Sequence, residues 1–201
     1  MNHLVPLDNL VAALSRLPGI GRRTAERMAM ALIQDEKGLT RILANALLEA
    51  DDGIANCERC GSVTLADINP CELCARHRPD AHVLCVVESP ADIIKIEESG
   101  GFQGRYHALM GRLSPMSGTG VADLRVDKLL GRVAEEGITE VLIALGTDVE
   151  SDATASYLRE ILSTRDVKVS RIAFGLPAGS AIEYSDATTL ARAIKGRQEI
   201  G

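Results

Sequence analysis

The chain has 201 residues and a formal net charge of −6, which suits one ordinary domain plus small modules and excludes a uniformly basic nucleic-acid-binding coat, though not a local basic patch. It lacks tryptophan and has only two Phe and three Tyr, so base stacking on a row of aromatic side chains is not expected. No apolar stretch is long enough to span a membrane, and residues 1–20 lack the pattern of a signal peptide, so we expect a cytoplasmic protein.

Apolar residues recur at helical spacing through residues 7–51 and predict three helices, over about 7–17, 22–33 and 39–50. A short turn, Leu17–Gly21, joins the first two. Pro18 is expected to end the first helix, because the residue before a proline avoids the helical region. Gly19 and Gly21 both allow positive φ and bring bare backbone to the surface.

Amide groups at the start of the second predicted helix form a site for an anion such as a DNA phosphate. The arginines on or beside that site are Arg22, Arg23 and Arg27. The pattern resembles the helix-hairpin-helix motif of DNA-binding proteins and predicts contacts to the DNA backbone that read no sequence. The alternative is an ordinary turn between helices that happens to contain glycines.

Four cysteines form a C-x2-C-x10-C-x2-C array. Two close pairs with a short intervening loop place four sulfurs at the corners of a tetrahedron, the geometry of a structural zinc site. The predicted ligands of one Zn²⁺ per chain are Cys57, Cys60, Cys71 and Cys74. Because protein atoms fill all four positions, the site is structural and not catalytic. The alternatives are two disulfides or four free thiols, and disulfides are rare in the cytosol.

From His82 onward, buried strands alternate with helices. Strands are predicted over 83–87, 141–145 and 167–173, and helices over 91–98, 121–136, 153–162 and 187–194. This alternation predicts an α/β fold with a parallel sheet covered on both faces. The fifth cysteine, Cys85, falls inside the first strand and is expected to be a small buried hydrophobic residue.

Acidic residues follow the first two of these strands. Glu88 ends the first, and Asp148, Glu150 and Asp152 follow the second, at the strand ends where parallel sheets place their sites. Carboxylates gathered there can hold Mg²⁺ through one or two direct ligands plus water. The alternative is a solvated helix N-terminus, where acidic side chains favour the helix dipole.

This pattern resembles the Toprim domain of primases and type IA topoisomerases, in which a glutamate and an Asp-x-Asp support metal-dependent phosphoryl chemistry. Gly146 stands where the first Asp would be, and the stretch Gly146–Asp152 contains no arginine or lysine. No catalytic residue is therefore predicted, and Mg²⁺ binding is left open.

The segment Gly100–Gly120 is rich in Gly and Ser and is predicted to be a long loop with a short strand near 106–109. It carries Arg105, His107 and Arg112, which make it a mildly basic loop suited to touching nucleic acid, with His107 expected to be a surface or packing residue. The closing segment, residues 171–180, is either a docking loop between subunits or a plain turn.

In order and size the modules are similar to those of the RecR family of bacterial recombination mediators, over nearly the whole chain. The most specific matching pieces are Leu17-Pro18-Gly19-Ile20-Gly21, the four cysteines, Val86-Val87-Glu88, Tyr106-His107, Leu113-Ser114-Pro115, Val149-Glu150-Ser151-Asp152-Ala153-Thr154-Ala155 and Gly175-Leu176-Pro177. The chain departs from the family at Gly146-Thr147-Asp148, where Asn-Pro-Thr is expected, and at Ser89, where a second acidic residue is more usual.

The predicted bounds are 1–53 for a helix-hairpin-helix region, 54–78 for a zinc finger, 79–173 for a Toprim domain and 174–201 for a C-terminal oligomerisation segment. The resemblance implies a non-enzymatic, ring-shaped tetramer that clamps double- and single-stranded DNA in recombinational repair. It also implies partners, RecO and RecF, with which the clamp helps RecA to displace single-strand-binding protein at gaps. Glu88, Glu150 and Asp152 are then expected on or near the RecO-facing surface.

Two other functions stay open at this point. One is a Mg²⁺-dependent Toprim nuclease or primase-like enzyme that uses Glu88, Asp148 and Asp152. The other is a zinc-ribbon adaptor that binds only protein, against which the arginine-flanked hairpin argues.

Overall fold

The computed structural model describes residues 4–176 and 179–197, and its contacts divide the chain into two compact units, Met1–Ile54 and Ala55–Gly201. The first unit contains three helices: α1 (Val5–Leu14), α2 (Arg22–Gln34) and α3 (Leu39–Gly53). The prediction that Pro18 ends the first helix is wrong, because α1 stops at Leu14. The Ser15 hydroxyl and the Ser15 amide both donate to the Val11 carbonyl, at 2.8 and 2.9 Å, and the chain then tightens into short turns.

The first unit buries little of its apolar surface. Among its described residues, only Ala25, Ala29 and Leu32 of α2 are buried, and α1 and α3 bury none. The large apolar side chains that it leaves exposed are Leu4, Val5, Leu17, Met28, Met30, Ile33, Leu39, Ile42, Leu43, Leu47, Leu48 and Ile54. These helices therefore lack a core of their own, unlike a stable isolated domain.

The second unit begins with a small cysteine-rich module. Two short strands, β1 (Ile54–Asn56), which starts at the last residue of the first unit, and β2 (Val63–Leu65), form a separate two-stranded sheet. One helical turn, α4 (Glu72–Ala75), follows. The buried hydrophobic cluster of the module consists of cysteines rather than large aliphatic side chains. Such a module depends on something other than a hydrophobic core for its shape.

A four-stranded parallel sheet forms the rest of the second unit. Its strands are β3 (Asp80–Val87), β4 (Gly104–Ala108), β5 (Glu140–Ala144) and β6 (Lys168–Arg171), arranged in the order β4-β3-β5-β6. The helices are α5 (Pro90–Ser99), α6 (Val126–Glu135), α7 (Val149–Leu162) and α8 (Ala187–Lys195). The α/β class predicted from the sequence is confirmed.

The sheet separates two hydrophobic clusters, because successive residues of a strand point to opposite faces. Leu84 and Val86 of β3 pack into the larger cluster with residues of α6 and α7. Cys85 and Val87 pack into the smaller one with Ile93 of α5. Cys85 is buried, as predicted, and burial raises the pKa of its thiol to about 12.

Three element bounds differ from the sequence-based expectation. The short strand predicted near 106–109, in the loop after Gly100, is present as the edge strand β4 but begins earlier, at Gly104. The helix predicted from Val121 is a short 3-10 turn followed by α6, because Leu124 is extended, with ψ at 152°. Helix α7 begins at Val149 because the Asp148 carboxylate accepts the Ser151 amide at 3.0 Å and caps it.

No described helix combines the length and the apolar character that crossing a membrane requires. Pro177 of the closing segment lies outside the described residues.

Candidate functional site

The hairpin between α1 and α2 presents uncapped backbone at the start of α2. Gly19 has φ at +76°, in the left-handed region that favours glycine. Gly21 is the N-cap of α2, with φ at −77° and ψ at 162°, so it does not use the freedom to adopt positive φ that glycine allows. An N-cap residue is normally extended, and Gly21 contributes instead the absence of a capping side chain. The first amides of α2 are thus left to an external acceptor.

The arginines beside this hairpin are exposed. Arg22 donates from Nε to Glu26 Oε1 at 3.1 Å, an ion pair within one turn of the helix. Arg23 and Arg27 lie four residues apart and so share a face of α2. The geometry suits contacts to phosphate, and the DNA-binding role of Gly19, Gly21 and the three arginines stays a prediction.

The four predicted zinc ligands come together. Their sulfur atoms all lie within 4.8 Å of one another. The Sγ atoms of Cys60 and Cys71 are 3.5 Å apart, and those of Cys57 and Cys74 are 3.9 Å apart. Four sulfurs held about 2.3 Å from one Zn²⁺ ion lie about 3.8 Å from each other, so the cluster fits a tetrahedral metal site.

Backbone amides point at two of these sulfurs. The Ser62 amide donates to Cys60 Sγ and the Cys71 amide to Cys57 Sγ, each at 3.4 Å. Burial opposes ionisation of Cys57, but the amides around its sulfur outweigh burial and lower its pKa to about 6. A hydrogen bond to Cys74 and burial raise the pKa of Cys60, and burial raises that of Cys71 to about 11. A divalent cation would supply the charge that lets all four thiolates coexist.

The cysteine module is fastened to the parallel sheet. The Ala108 amide at the end of β4 donates to the Cys60 carbonyl at 2.7 Å. Arg125 donates to the carbonyls of Glu58 and Arg59, at 2.5 and 3.3 Å. Gly61 leaves room for this arginine, since a Cβ there would lie 2.2 Å from Arg125 Nη1.

A second tie centres on Glu136, just after α6. Its carboxylate accepts from Arg59 at 2.9 Å, Arg105 at 2.6 Å and Arg132 at 2.8 Å. Burial opposes the charge of Glu136, but hydrogen bonds from Arg132, Arg59 and Arg105 outweigh it and lower its pKa to about 2. Arg59 comes from the cysteine module and Arg105 from β4, so one carboxylate joins three elements.

The structure does not support nucleic-acid contact by Arg105 and His107. Arg105 is held by Glu136, and His107 is fully buried, with Nε2 3.0 Å from the Arg125 carbonyl oxygen. Burial and the neighbouring Arg132 lower the pKa of His107 to about 3. His107 is therefore a neutral packing residue, the reading that the sequence favoured over an acid–base role.

Three acidic side chains meet at the carboxyl end of the sheet. Glu88 follows β3, and Asp148 and Glu150 lie at the start of α7. Arg112, from the loop after β4, bridges them: its Nε donates to Glu150 Oε2 at 3.0 Å, and its Nη1 lies 3.4 Å from both Glu88 Oε2 and Asp148 Oδ2. We call this group of four residues the acidic edge.

Asp152 is separate from the acidic edge. Its Oδ1 accepts from Arg171 at 2.6 Å and its Oδ2 from Arg192 of α8 at 2.9 Å. Both guanidinium groups also lie over the ring of Phe174, at 4.5 and 5.5 Å. Of the three predicted partner-binding residues, the structure thus brings Glu88 and Glu150 together, while Asp152 connects α7 to the C-terminal segment.

The stretch Gly146–Asp152 contains no basic residue, yet its acidic side chains do have a basic neighbour in the folded chain. That neighbour is Arg112, which lies 36 residues before Asp148 in the sequence. A mildly basic loop facing an unpaired acidic cluster was the available signal. The Glu136 group was also missed. Its only local sign is that Arg132, in the last turn of α6, and Glu136, just after it, are four residues apart.

Comparisons with known proteins cover the whole arrangement. Residues 7–51 match a family model described as RecR, helix-hairpin-helix; residues 82–173 match the Toprim domain; and residues 175–198 match RecR, C-terminal. The chain is 42% identical over 200 residues to the Recombination protein RecR of Desulforudis audaxviator, covering 100% of both chains. It is 46% identical over 190 residues to that of Desulforapulum autotrophicum, covering 94% of both, and 45% identical over 195 residues to that of Moorella thermoacetica, covering 97% of both.

Proposed function

The chain belongs to the RecR family of recombination proteins, and on that premise we propose that it is a ring-shaped DNA clamp that mediates recombinational repair. The observation that carries the DNA-binding part is the hairpin before α2. It combines uncapped amides at a helix start with three exposed arginines, a set suited to the phosphate backbone.

The apolar surface of the first unit supports assembly with further copies of the chain. A dozen large apolar side chains are exposed there, and a groove of about 700 Å³ opens between α1 and α2. This much exposed apolar surface on one small unit suits an interface with further copies. Identical chains mostly cover such surfaces by forming closed, symmetric assemblies, and a ring-shaped homotetramer is the form that we propose.

A ring also explains how a chain with a negative net charge can bind DNA. With a net charge of −6, one subunit repels DNA overall. Symmetry brings several arginine-flanked hairpins to one central hole, where the local field is positive although the whole protein is acidic. Binding is then weak for one subunit and sensitive to salt.

The metal of the cysteine cluster is Zn²⁺ in this proposal, because four closed thiolate ligands suit it and leave no position for a substrate. Zinc shapes the finger and performs no chemical step. The protein acts in the cytoplasm, where the chromosome lies and thiolates stay reduced. Its partners are double- and single-stranded DNA and the mediators RecO and RecF, with RecO docking near Glu88 and Glu150, and the assembly helps RecA to load at single-strand gaps.

The proposal is non-enzymatic. The alternative, a Mg²⁺-dependent nuclease or primase-like enzyme, requires carboxylates free to hold metal ions. Arg112 engages three of them, and a Cβ at Gly146 would lie only 3.0 Å from Ser151 Oγ, so a side chain such as Asp does not fit there without a shift.

A mobility shift on gapped duplex DNA tests the proposal, at low and high salt and with and without RecO, after the particle mass is measured by light scattering. We expect tetramer-sized protein whose binding weakens with salt, strengthens with RecO and leaves the DNA intact. Arg23→Glu with Arg27→Glu should abolish retention without unfolding the protein, because two phosphate-binding cations become anions.

The matched control is Arg159→Glu with Arg165→Glu, which makes the same charge change on exposed residues of the second unit. Its binding should stay close to that of the wild type. Normal retention by the folded Arg23/Arg27 variant would refute the hairpin as the DNA site, and DNA cleavage on adding Mg²⁺ would favour the enzyme.

A further inference from the structure

Arg112 holds the position that a metal ion would take at the carboxyl end of the sheet. Its guanidinium reaches Glu150 at 3.0 Å, and Glu88 and Asp148 at 3.4 Å each. We propose that Arg112 is the resident cation of the acidic edge and that it excludes divalent metal ions from these carboxylates.

Electrostatics favours a cation among these three side chains. Like charges in one place repel, and an opposite charge within about 4–6 Å removes that cost. A guanidinium is charged at every physiological pH and presents several donors in a fixed plane, so one side chain serves three carboxylates. A Mg²⁺ ion would have to sit among the same carboxylates in near-octahedral geometry, with oxygens at about 2.0–2.1 Å, and there it would meet the positive charge of the guanidinium.

The backbone on both sides of Arg112 is fixed, so the contact does not depend on one flexible side chain. The Gly111 amide donates to the Glu88 carbonyl at 3.0 Å, and the Leu113 amide donates to Thr154 Oγ1 at 2.9 Å. Thr154 is fully buried. Ser114 adds a hydrogen bond from its hydroxyl to the Glu150 carboxylate. The loop therefore delivers the guanidinium to a set position.

The environment of Gly146 points the same way independently. A Cβ at this residue would lie 3.0 Å from Ser151 Oγ and 3.1 Å from Asp148 Oδ2. Both atoms belong to the cap of α7, in which the Ser151 hydroxyl donates to Asp148 Oδ2 at 2.9 Å. The cap thus occupies the space in which a further carboxylate would complete a metal site.

Manganese binding by the full-length, zinc-loaded protein tests this proposal, with Mn²⁺ as a paramagnetic stand-in for Mg²⁺ and no DNA present. The test variant is Arg112→Met, which removes the charge and keeps a long side chain. Arg159→Met is the matched control, since Arg159 is an exposed arginine of the same unit that pairs with none of the three carboxylates. Free Mn²⁺ is counted by electron paramagnetic resonance.

We expect Arg112→Met to bind Mn²⁺ at least about tenfold more tightly than the wild type, because one positive charge has left the site. Adding Glu88→Gln should return the affinity to the wild-type value. Arg112→Lys and Arg159→Met should titrate like the wild type. An Arg112→Met protein that binds no more tightly than the wild type overturns the proposal.

A measurement on the wild type covers the case in which Arg112→Met fails to fold. Millimolar Mn²⁺ should leave the amide resonances of Glu88, Gly111 and Glu150 unbroadened. Selective broadening of these resonances would show that the ion reaches the carboxylates despite Arg112 and would refute the proposal. Neither the Mn²⁺ titration nor the resonance measurement uses DNA or a partner protein. A negative result in either would therefore count against the role of Arg112 and not against the proposed DNA clamp.

Discussion

The two units of the chain differ in how far they bury their apolar side chains and pair their arginines. The second unit buries an apolar cluster on each face of its sheet and pairs most of its arginines with carboxylates. The first unit buries three residues of α2 and leaves its aliphatic side chains and its hairpin arginines at the surface. Fully burying one such aliphatic side chain contributes about 1.5–3 kcal/mol, so the first unit holds a large unused driving force. The second unit thus buries two apolar clusters within one chain, whereas the first leaves exposed the apolar surface on which the proposed assembly rests.

Removing the metal ligands should have the largest effect on this contrast, because it should destabilise the second unit, which is otherwise the better packed of the two. Cys57→Ser with Cys60→Ser should release zinc and lower the free energy of unfolding of this unit on the order of 5 kcal/mol or more, since metal binding replaces a core in the cysteine module. Metal analysis together with urea unfolding measures both effects.

His77→Ala is the control for that variant, because His77 is exposed and close in sequence to the cluster without belonging to it. It should keep its zinc and its stability. A wild-type protein that retains full stability in the presence of a strong chelator would contradict a structural metal.

Placing charges on the exposed apolar face of α3 tests the other half of the contrast, the proposed role of the first unit in assembly. Leu43→Glu with Leu47→Glu is expected to reduce the particle mass to half or less of the wild-type value while the second unit unfolds as before, because no described side chain of α3 is buried within the chain. Light scattering and urea unfolding check the two parts.

Arg41→Glu with Asn45→Glu places the same two acidic residues elsewhere on α3 and should leave the mass unchanged. Leu84→Ala, in the core of the second unit, should do the reverse of the Leu43/Leu47 change: it costs about 2–5 kcal/mol of stability and leaves the mass intact. An unaltered mass in the Leu43/Leu47 variant would remove α3 from the interface.

The smallest expected effect is a pH dependence confined to the second unit. The pKa of Glu136 is lowered to about 2 from its ordinary 4.5, so its contribution is complete above the higher value and is lost as the pH falls toward the lower one. Glu136→Gln should cost roughly 2–3 kcal/mol at neutral pH and flatten the acid limb of the stability curve. Urea unfolding at a series of pH values measures it.

Glu135→Gln removes a neighbouring, exposed carboxylate and should leave that acid limb as steep as in the wild type. An equally steep limb in Glu136→Gln would show that other groups carry the acid sensitivity. His107 adds to the same trend, because its lowered pKa also makes protonation favour the unfolded chain.

Features with a local period or spacing were predictable from the sequence. The strand containing Cys85 stands out as an apolar run, and the spacing of the four cysteines indicates a tetrahedral site, because both signals depend on neighbours along the chain. The end of α1 was not predictable from Pro18 alone, since a hydroxyl bond from Ser15 to Val11 competes earlier.

Contacts between distant residues were beyond the sequence. Arg112 meets Asp148 across 36 residues, and Arg59 meets Glu136 across 77. Nothing in the local pattern says which of several arginines will reach a given carboxylate, because the pairing is set by how the strands order themselves in the sheet. The sequence shows which residues are charged, but not which of them pair with each other.

The hydrogen bond from the Ala108 amide to the Cys60 carbonyl has a consequence for self-association. Strand β4 is an edge of the sheet, and unpaired amides on an edge are a template for pairing with another chain. The cysteine module covers the last amide of that edge and so blocks its pairing with the strand of another chain. Stripping the metal would open the edge to intermolecular strand pairing, and the metal-free protein should therefore aggregate through β-rich contacts rather than accumulate as dispersed unfolded chains.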